Sequence, residues 1–132
     1  MRSLLPLLAF TLLSACSTTG GAPIAGKDWR AIDVNGLPLA GERLLTLRLD
    51  GGRASGNSGC NSFTASYEFT GGDRLDFGPI ASTRMACEPA VMEQETRFLS
   101  ILDAATSYSR YGSGQLSVIA PDGRAIRFAR AR

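Results

Sequence analysis

The sequence predicts a small α+β domain that is mostly β: an antiparallel curved sheet or incomplete β-barrel of about seven or eight strands, with one late α-helix. Several short runs alternate apolar and polar residues, which is the period of half-buried strands. Glycine pairs and Asn-Gly or Asp-Gly steps separate these runs and indicate turns. A single later segment has helical spacing instead. Together these observations favour one domain of roughly a hundred residues.

The N-terminus, MRSLLPLLAFTLLSAC, predicts an exported chain. Arg2 precedes an apolar run from Leu4 to Leu13, the outline of a signal peptide over residues 1–15. The run is shorter than a membrane-spanning helix requires, and Pro6 interrupts it. Its end, LSAC, is similar to a bacterial lipobox, so Cys16 is the predicted acylated N-terminus of the mature chain. The alternative is an ordinary secretory signal with a chance cysteine.

The predicted anchor also indicates where in the cell the protein is located. Several acyl chains on Cys16 would hold the protein stably on a membrane. Ser17 is not the aspartate that resembles an inner-membrane retention signal, which favours the outer membrane, on its periplasmic face. Residues 16–26 are small, polar and Gly-containing and predict a flexible tether. The folded domain is predicted over residues 27–132.

The first predicted strands follow the tether. The segment Asp28–Val34 directs Trp29, Ala31 and Asp33 to one face, and an Asn-Gly turn follows. A second run, ERLLTLRLD, ends at a Gly-Gly turn. Its inward residues are predicted to be Leu45, Leu47 and Leu49.

The middle and the end of the chain continue the strand pattern. RASGNSGCN is Gly-rich and only weakly strand-like, whereas FTASYEF and RLDFGPI alternate more clearly. Near the C-terminus, Asp122-Gly123 can supply the positive φ of a tight hairpin turn. The inward residues of these runs are predicted to be Phe63, Ala65, Tyr67, Phe69, Leu75 and Phe77, then Leu116 and Val118 facing Ile126 and Phe128.

The segment EPAVMEQETRFLSILDAATSY has helical spacing. Pro89 suits the first helical turn, so the helix is predicted to begin there. Glu88, Glu93 and Glu95 are expected to lie near the positive end of its dipole. The apolar side of the helix is predicted to carry Val91, Phe98, Leu102 and Ala105, with Met92 and Leu99 beside them.

Acylation of Cys16 would leave two other cysteines, Cys60 and Cys87. An even count in an oxidising compartment makes a structural disulfide between them the expected state. An unpaired or redox-active pair is the alternative. The chain has no histidine, so a Cys-His nucleophile is excluded and two thiols do not make a zinc site. We therefore expect neither a metal nor another cofactor.

Other chemistry has little support in the sequence. The net charge is +2, or +1 once Arg2 is removed with the signal, so nucleic acid is not a predicted partner. There is no G-x-S-x-G motif and no phosphate-binding G-x-x-x-x-G-K-[ST] motif. Several carboxylates on the strands and the helix could pair for hydrolysis, although such groups are usually solvated. They are Glu68, Asp73, Asp76 and Glu93.

Two stretches together, GCNSFTASYEF and LDFGPIASTRMACEPAVMEQETRFLSIL, resemble the META domain family, whose bacterial members are often labelled HslJ-like. The resemblance implies a small β-rich domain with one helix, often exported and lipid-anchored, without established enzymatic activity. The heat-shock label of many relatives suggests envelope stress. Trp29 lies where such domains open with a short strand. The motif residues carried over are Gly59, Cys60, Asn61, Ser82, Thr83, Arg84, Met85 and Cys87.

Asn61 and Arg84 are the candidate binding or motif residues, because a Cys60–Cys87 bridge would bring them together. Asn61 suits a turn, and Arg84 could satisfy carbonyls or a carboxylate. Gripping a ligand is the alternative role. The predicted function is a non-catalytic, monomeric envelope module that binds an envelope protein. A carrier or sensor of a small apolar ligand is the main alternative, and a carboxylate-dependent hydrolase is a distant one.

Overall fold

A computed structural model describes residues 24–112 and 114–132. The predicted signal peptide, the predicted acylation site Cys16 and most of the tether lie outside these residues. The described part contains nine strands and one helix. They are β1 (Asp28–Val34), β2 (Thr46–Asp50), β3 (Arg53–Asn57), β4 (Ser62–Gly71), β5 (Arg74–Phe77), β6 (Ala81–Ser82), α1 (Pro89–Ala104), β7 (Ser107–Tyr111), β8 (Gln115–Ile119) and β9 (Ala125–Arg130).

The strands form one antiparallel sheet in the order β3-β2-β1-β9-β8-β7-β5-β4-β6. β3 also pairs with β4, so the sheet curves round into a ring. The long strand β4 makes this possible, because its first half pairs with β3 on one edge and with the two-residue β6 on the other, while its second half pairs with β5. The predicted mostly β fold with one late helix is confirmed.

The predicted alternation sets the inside and the outside of the ring. Leu45, Leu47 and Leu49 are at most 1% exposed, while Thr46 and Arg48 between them are only partly buried. In β1, the register with β9 shifts between Ala31 and Asp33. This irregularity leaves Asp33 and Val34 both buried at the end of the strand.

The hairpin of β8 and β9 has the predicted pairing. Leu116 lies opposite Phe128, and Val118 lies opposite Ile126. Gly123 has a φ of 90°, a conformation that glycine adopts at no steric cost in the turn. All four paired side chains are completely buried.

The helix α1 begins at Pro89, as predicted, and its apolar side covers the interior of the ring. Phe98 is completely buried, and its ring centroid lies 5.6 Å from that of Phe63 on β4 and 6.2 Å from that of Phe128 on β9. Because β4 and β9 are not neighbours in the sheet, this one side chain joins distant parts of the ring. The helix ends at Ala104, and the residues after it form β7, a strand that the sequence analysis did not identify.

The packed domain extends into the segment assigned to the tether. Ile24 is completely buried, and its carbonyl oxygen accepts a hydrogen bond of 2.9 Å from the indole N–H of Trp29. Trp29 therefore holds the segment before β1 against the first strand. Within residues 24–112 and 114–132, no helix combines the length and the apolar character needed to cross a membrane.

Candidate functional site

A buried glutamate forms the centre of the most highly connected polar site. Glu95, in the second turn of α1, is 5% exposed. Its Oε2 atom accepts hydrogen bonds from the Ser58 hydroxyl at 2.8 Å and from the backbone N–H groups of Cys60 and Asn61 at 3.0 and 2.7 Å. Its Oε1 atom accepts one from Asn61 Nδ2 at 2.6 Å. The carboxylate thus joins the helix to the Gly-Cys-Asn turn, residues 59–61.

The conformation of the turn is what directs two consecutive N–H groups at one oxygen. Gly59 has a φ of 124°, which side chains with a Cβ rarely adopt. A Cβ at this position would also lie 3.4 Å from Gln94 Nε2. Asn57 supports the turn from the preceding strand by accepting the Gly59 N–H at 2.9 Å. The glycine of the motif is therefore needed for its backbone conformation, whereas a Cβ would make only an ordinary van der Waals contact with Gln94.

The environment of Glu95 favours its ionised form. Burial has the largest single effect and by itself would raise the pKa of this carboxyl group. The hydrogen bonds from Asn61, Ser58 and Cys60 act in the opposite direction and together outweigh it, so the pKa of Glu95 lies below its ordinary value. The group is an anion at neutral pH although it is buried, and every group that donates a hydrogen bond to it is neutral.

Asn61 extends the site to the exposed segment between β6 and α1. Its Oδ1 atom accepts hydrogen bonds from the backbone N–H of Met85 at 2.6 Å and from the Thr83 hydroxyl at 3.0 Å. Its Nδ2 atom donates to the carbonyl oxygen of Met85 at 3.1 Å as well as to Glu95. One amide side chain therefore fixes both backbone polar groups of Met85.

The predicted pairing of the two cysteines is present. A disulfide joins Cys60 to Cys87, with their Cα atoms 5.9 Å apart. Cys60 is completely buried in the turn, whereas Cys87 is exposed just before the helix. The bridge and the Asn61 side chain attach the same segment at two neighbouring points.

A second loop, residues 37–45, is attached to the same end of the helix. Gln94 accepts the Ala40 N–H at 2.7 Å and donates to the Ala40 carbonyl oxygen at 3.0 Å. Arg43 donates to the carbonyl oxygen of Cys60 at 3.1 Å. A cleft of about 390 Å³ opens between this loop, the Gly-Cys-Asn turn and the start of the helix, and Cys87 and Glu88 line it.

The two candidate binding residues have different positions. Asn61 is buried, as a structural role requires, and its amide forms the network described above. Arg84 is exposed, and the structure gives it no hydrogen bond or ion pair with any other described residue, whereas Asn61 bonds the carbonyl oxygen of Met85. The two residues are near each other along the segment, since Asn61 binds the backbone of Met85, the residue after Arg84.

The central residue of the site was not predicted from the sequence. Glu95 was expected near the positive end of the helix dipole, but it lies beyond the first turn, which contains no acidic residue, and its side chain points inward. The signal was present: positions 91, 95, 98 and 102 share one helical face, so Glu95 interrupts an apolar stripe. Ser58 and Gln94, both buried, were also missed.

The arrangement is chemically suited to holding loops rather than to turning over a substrate. Both oxygens of Glu95 are occupied by protein donors, which leaves the carboxylate unsuited to proton transfer. Among the described residues, no group of three or more His, Cys, Asp or Glu side chains is placed to hold a metal ion. Throughout the same part of the chain, every buried side-chain nitrogen and oxygen has a hydrogen-bond partner.

The ring-shaped antiparallel sheet and the single late helix make this a small β-rich α+β domain. The model of the META domain matches residues 22–132, and the chain belongs to this family. The match includes residues 22–26, in agreement with the buried Ile24.

Two solved structures share the fold. A protein from Burkholderia xenovorans, determined by NMR, is 26% identical, with a TM-score of 0.65 over 82% of this chain and 83% of that one. A second protein determined by NMR is 21% identical, with a TM-score of 0.63 over 78% of this chain and 87% of that one, and shows the fold alone. No curated protein matches the chain at a significant level.

Proposed function

We propose that this protein is a non-catalytic, lipid-anchored module of the bacterial cell envelope that acts by binding an envelope protein, with a role in envelope stress. The observation that carries the proposal is the use of the polar site. Glu95 holds the Gly-Cys-Asn turn, Asn61 and the disulfide attach the segment around Met85 to that turn, and Gln94 attaches the loop of residues 37–45 to the helix. Loops held on a rigid scaffold are typical recognition elements.

The exposed side chains of these loops support binding to a partner. Leu37, Leu39 and Leu44 are 45%, 36% and 57% exposed in one loop, and Met85 is 50% exposed in the other. Burial of apolar groups of this size on complex formation is favourable. An N-terminal anchor would add to this by raising the local concentration of the module at the membrane.

A carrier of a small apolar ligand is the second candidate, and the packing of the core favours it less. A ligand inside the ring would need the space that Phe63, Phe98 and Phe128 fill by contacting one another. Their exposed fractions are at most 1%. Binding at the surface loops needs no such space.

A carboxylate-dependent hydrolase is the third candidate. Glu68 and Asp76 lie opposite each other in β4 and β5 and line an open cleft. Asp76, however, has an exposed side chain that interacts with Thr70 and Arg74. Turnover of a glycan by the wild-type protein that is lost in Glu68→Gln would favour this candidate over binding.

The anchor is tested on protein isolated from its native membranes. Intact mass should correspond to a chain that begins at Cys16 and carries acyl groups, and density-gradient fractionation should place it with the outer membrane. A Cys16→Ala variant should lose both properties. A soluble product of unmodified mass would contradict the anchor.

The binding function is tested by crosslinking in intact envelopes, followed by affinity purification and mass spectrometry of proteins and lipids. We expect a stoichiometric envelope protein. Recovery of a stoichiometric lipid with no protein would favour the carrier instead.

A further inference from the structure

The segment between β6 and α1 combines full exposure with firm attachment. Every residue from Ala81 to Ala90 is exposed, and residues 83–88 form neither helix nor strand. Exposed segments of this kind usually vary in conformation. Here the segment is held by hydrogen bonds to its backbone and by the disulfide at Cys87. The side chains of Ser82, Arg84 and Met85 remain at the surface.

Three kinds of bond hold the segment in place. The Thr83 N–H donates to the Ser62 carbonyl oxygen at 3.0 Å. Asn61 holds the N–H and the carbonyl oxygen of Met85. The disulfide to Cys60 holds Cys87 two residues later. The peptide bond between Arg84 and Met85 thus lies between fixed points on both sides.

The other edge of this segment is available for pairing. Hydrogen bonds in an antiparallel ladder are made by alternate residue pairs. Since the Thr83 N–H points to β4, the backbone groups of Ser82, which lies opposite Phe63, point away from it. The N–H and the carbonyl oxygen of Arg84 form no hydrogen bond with another described residue, so they are available to a partner. An extended backbone segment in the groove of a partner could therefore pair with this edge as an additional strand.

The side chain of Arg84 indicates which kind of partner would bind this edge. Its side chain is exposed, and it has no ion pair within the described part of the chain. A loop that is fixed on both sides of an exposed, unpaired arginine matches the substrate cleft of a trypsin-like serine endopeptidase, which has an acidic pocket for arginine or lysine.

We propose that residues 82–85 form an inhibitory loop for a trypsin-like serine endopeptidase, with Arg84 in the acidic pocket and the Arg84–Met85 peptide bond at the catalytic serine. This names the partner class of the proposed binding module and rests on that proposal. A loop already held in its bound form loses little entropy on binding, which is how rigid inhibitors reach high affinity.

The attachments of Met85 explain why the loop is an inhibitor and not a substrate. In the acylation step, the protease serine oxygen bonds to the Arg84 carbonyl carbon, the Arg84–Met85 C–N bond breaks, and the serine proton passes through the protease histidine to the Met85 nitrogen. Met85 cannot diffuse away, because Asn61 and the Cys60–Cys87 bridge retain it. Its amine then attacks the acyl-enzyme, the peptide bond re-forms, and the serine recovers its proton.

The experiment uses the full chain, purified from membranes in a mild detergent, and trypsin with a chromogenic arginine substrate. We expect tight, stoichiometric inhibition with the chain recovered intact. Arg84→Ala should weaken inhibition by about 100-fold or more, because it removes the central anchor of the interface. Arg84→Lys should retain inhibition, since the acidic pocket also accepts lysine. The matched control is Arg53→Ala, at an exposed arginine on β3, which should inhibit like the wild type.

Three results would overturn the proposal. They are absence of inhibition at micromolar concentrations, cleavage at Arg84–Met85 at the rate of an ordinary substrate, and inhibition by Arg84→Ala equal to that by the wild type. Circular dichroism of each variant confirms that it is folded. If trypsin is not inhibited while crosslinking still recovers an envelope protein, this inference fails and the proposed binding function stands.

Discussion

Two buried carboxylates, one on the helix and one in the sheet, show two ways of satisfying a negative charge. Glu95 and Asp33 are 5% and 6% exposed. Asp33 pairs with the guanidinium of Arg127, its neighbour across β1 and β9, and accepts the Gly36 N–H at 3.0 Å. Glu95 has four neutral donors and no cation among its hydrogen-bond partners.

The difference lies in what each carboxylate holds together. Asp33 links two paired strands and the turn that follows, which the sheet already places side by side. Glu95 links the helix to a turn that has no regular secondary structure of its own. We expect the stability of the domain to depend more on Glu95, because its four hydrogen bonds are what join the helix directly to residues 58–61.

The largest effect is expected for Glu95→Gln. Three donors converge on one oxygen and the Asn61 amide on the other, so either orientation of a glutamine directs its NH₂ group at a donor. Loss of a buried, hydrogen-bonded charge should reduce the free energy of unfolding by about 3–5 kcal/mol. Urea denaturation measures the change.

The matched control is Glu93→Gln, at an exposed position on the same helix, which should have little effect. Equal losses in the two variants would contradict the role given to Glu95. Lowering the pH should reduce the difference in the free energy of unfolding between the wild type and Glu95→Gln. Because the folded-state pKa lies below the ordinary 4.5, the stabilisation is present above that pH and is lost as the pH falls through the folded-state value.

Removal of the disulfide should cause the second-largest loss in the free energy of unfolding. The bridge spans a sequence separation of 27 residues. The chain-entropy model gives a loss of about 3–4 kcal/mol for a loop of this length. The double variant Cys60→Ala, Cys87→Ala should therefore melt at a lower temperature, and peptide mapping without reductant should find the linked pair in the wild type. Free thiols in protein taken directly from the envelope would argue against the structural role.

A smaller loss is expected for Asp33→Asn. The side chain of Arg127 is 54% exposed, so water can solvate its charge when the partner is neutral. The amide can still accept the Gly36 N–H, and we expect a loss of about 1–2 kcal/mol. Asp50→Asn, at an exposed carboxylate, is the control. If Asp33→Asn destabilised the domain as much as Glu95→Gln, the comparison between the two sites would fail.

The sequence predicted the elements of the fold best where apolar periodicity is strong. The leucines of β2 and the β8–β9 hairpin have the predicted faces, because period-two burial requires no knowledge of distant contacts. The short strands β6 and β7 were not identified. β6 exists only through its pairing with Phe63 and Thr64, and β7 continues directly from a helical pattern.

The candidate site was predictable only in part. The cysteine pairing followed from count and compartment, and Asn61 from its motif. The bond between Asn61 and Glu95 joins residues 34 positions apart, and no local pattern specifies such a contact. A glutamate on an apolar helical stripe indicates burial, but it does not name the partner.

The most direct test is a titration of the Glu95 side-chain carboxyl carbon by NMR, with the resonance assigned through Glu95→Gln. We predict a pKa below the ordinary value of 4.5, because the hydrogen bonds from Asn61, Ser58 and Cys60 outweigh the effect of burial. A pKa at or above 4.5 would mean that burial dominates, and it would contradict the claim that an ionised Glu95 holds the Gly-Cys-Asn turn and the loop beyond it.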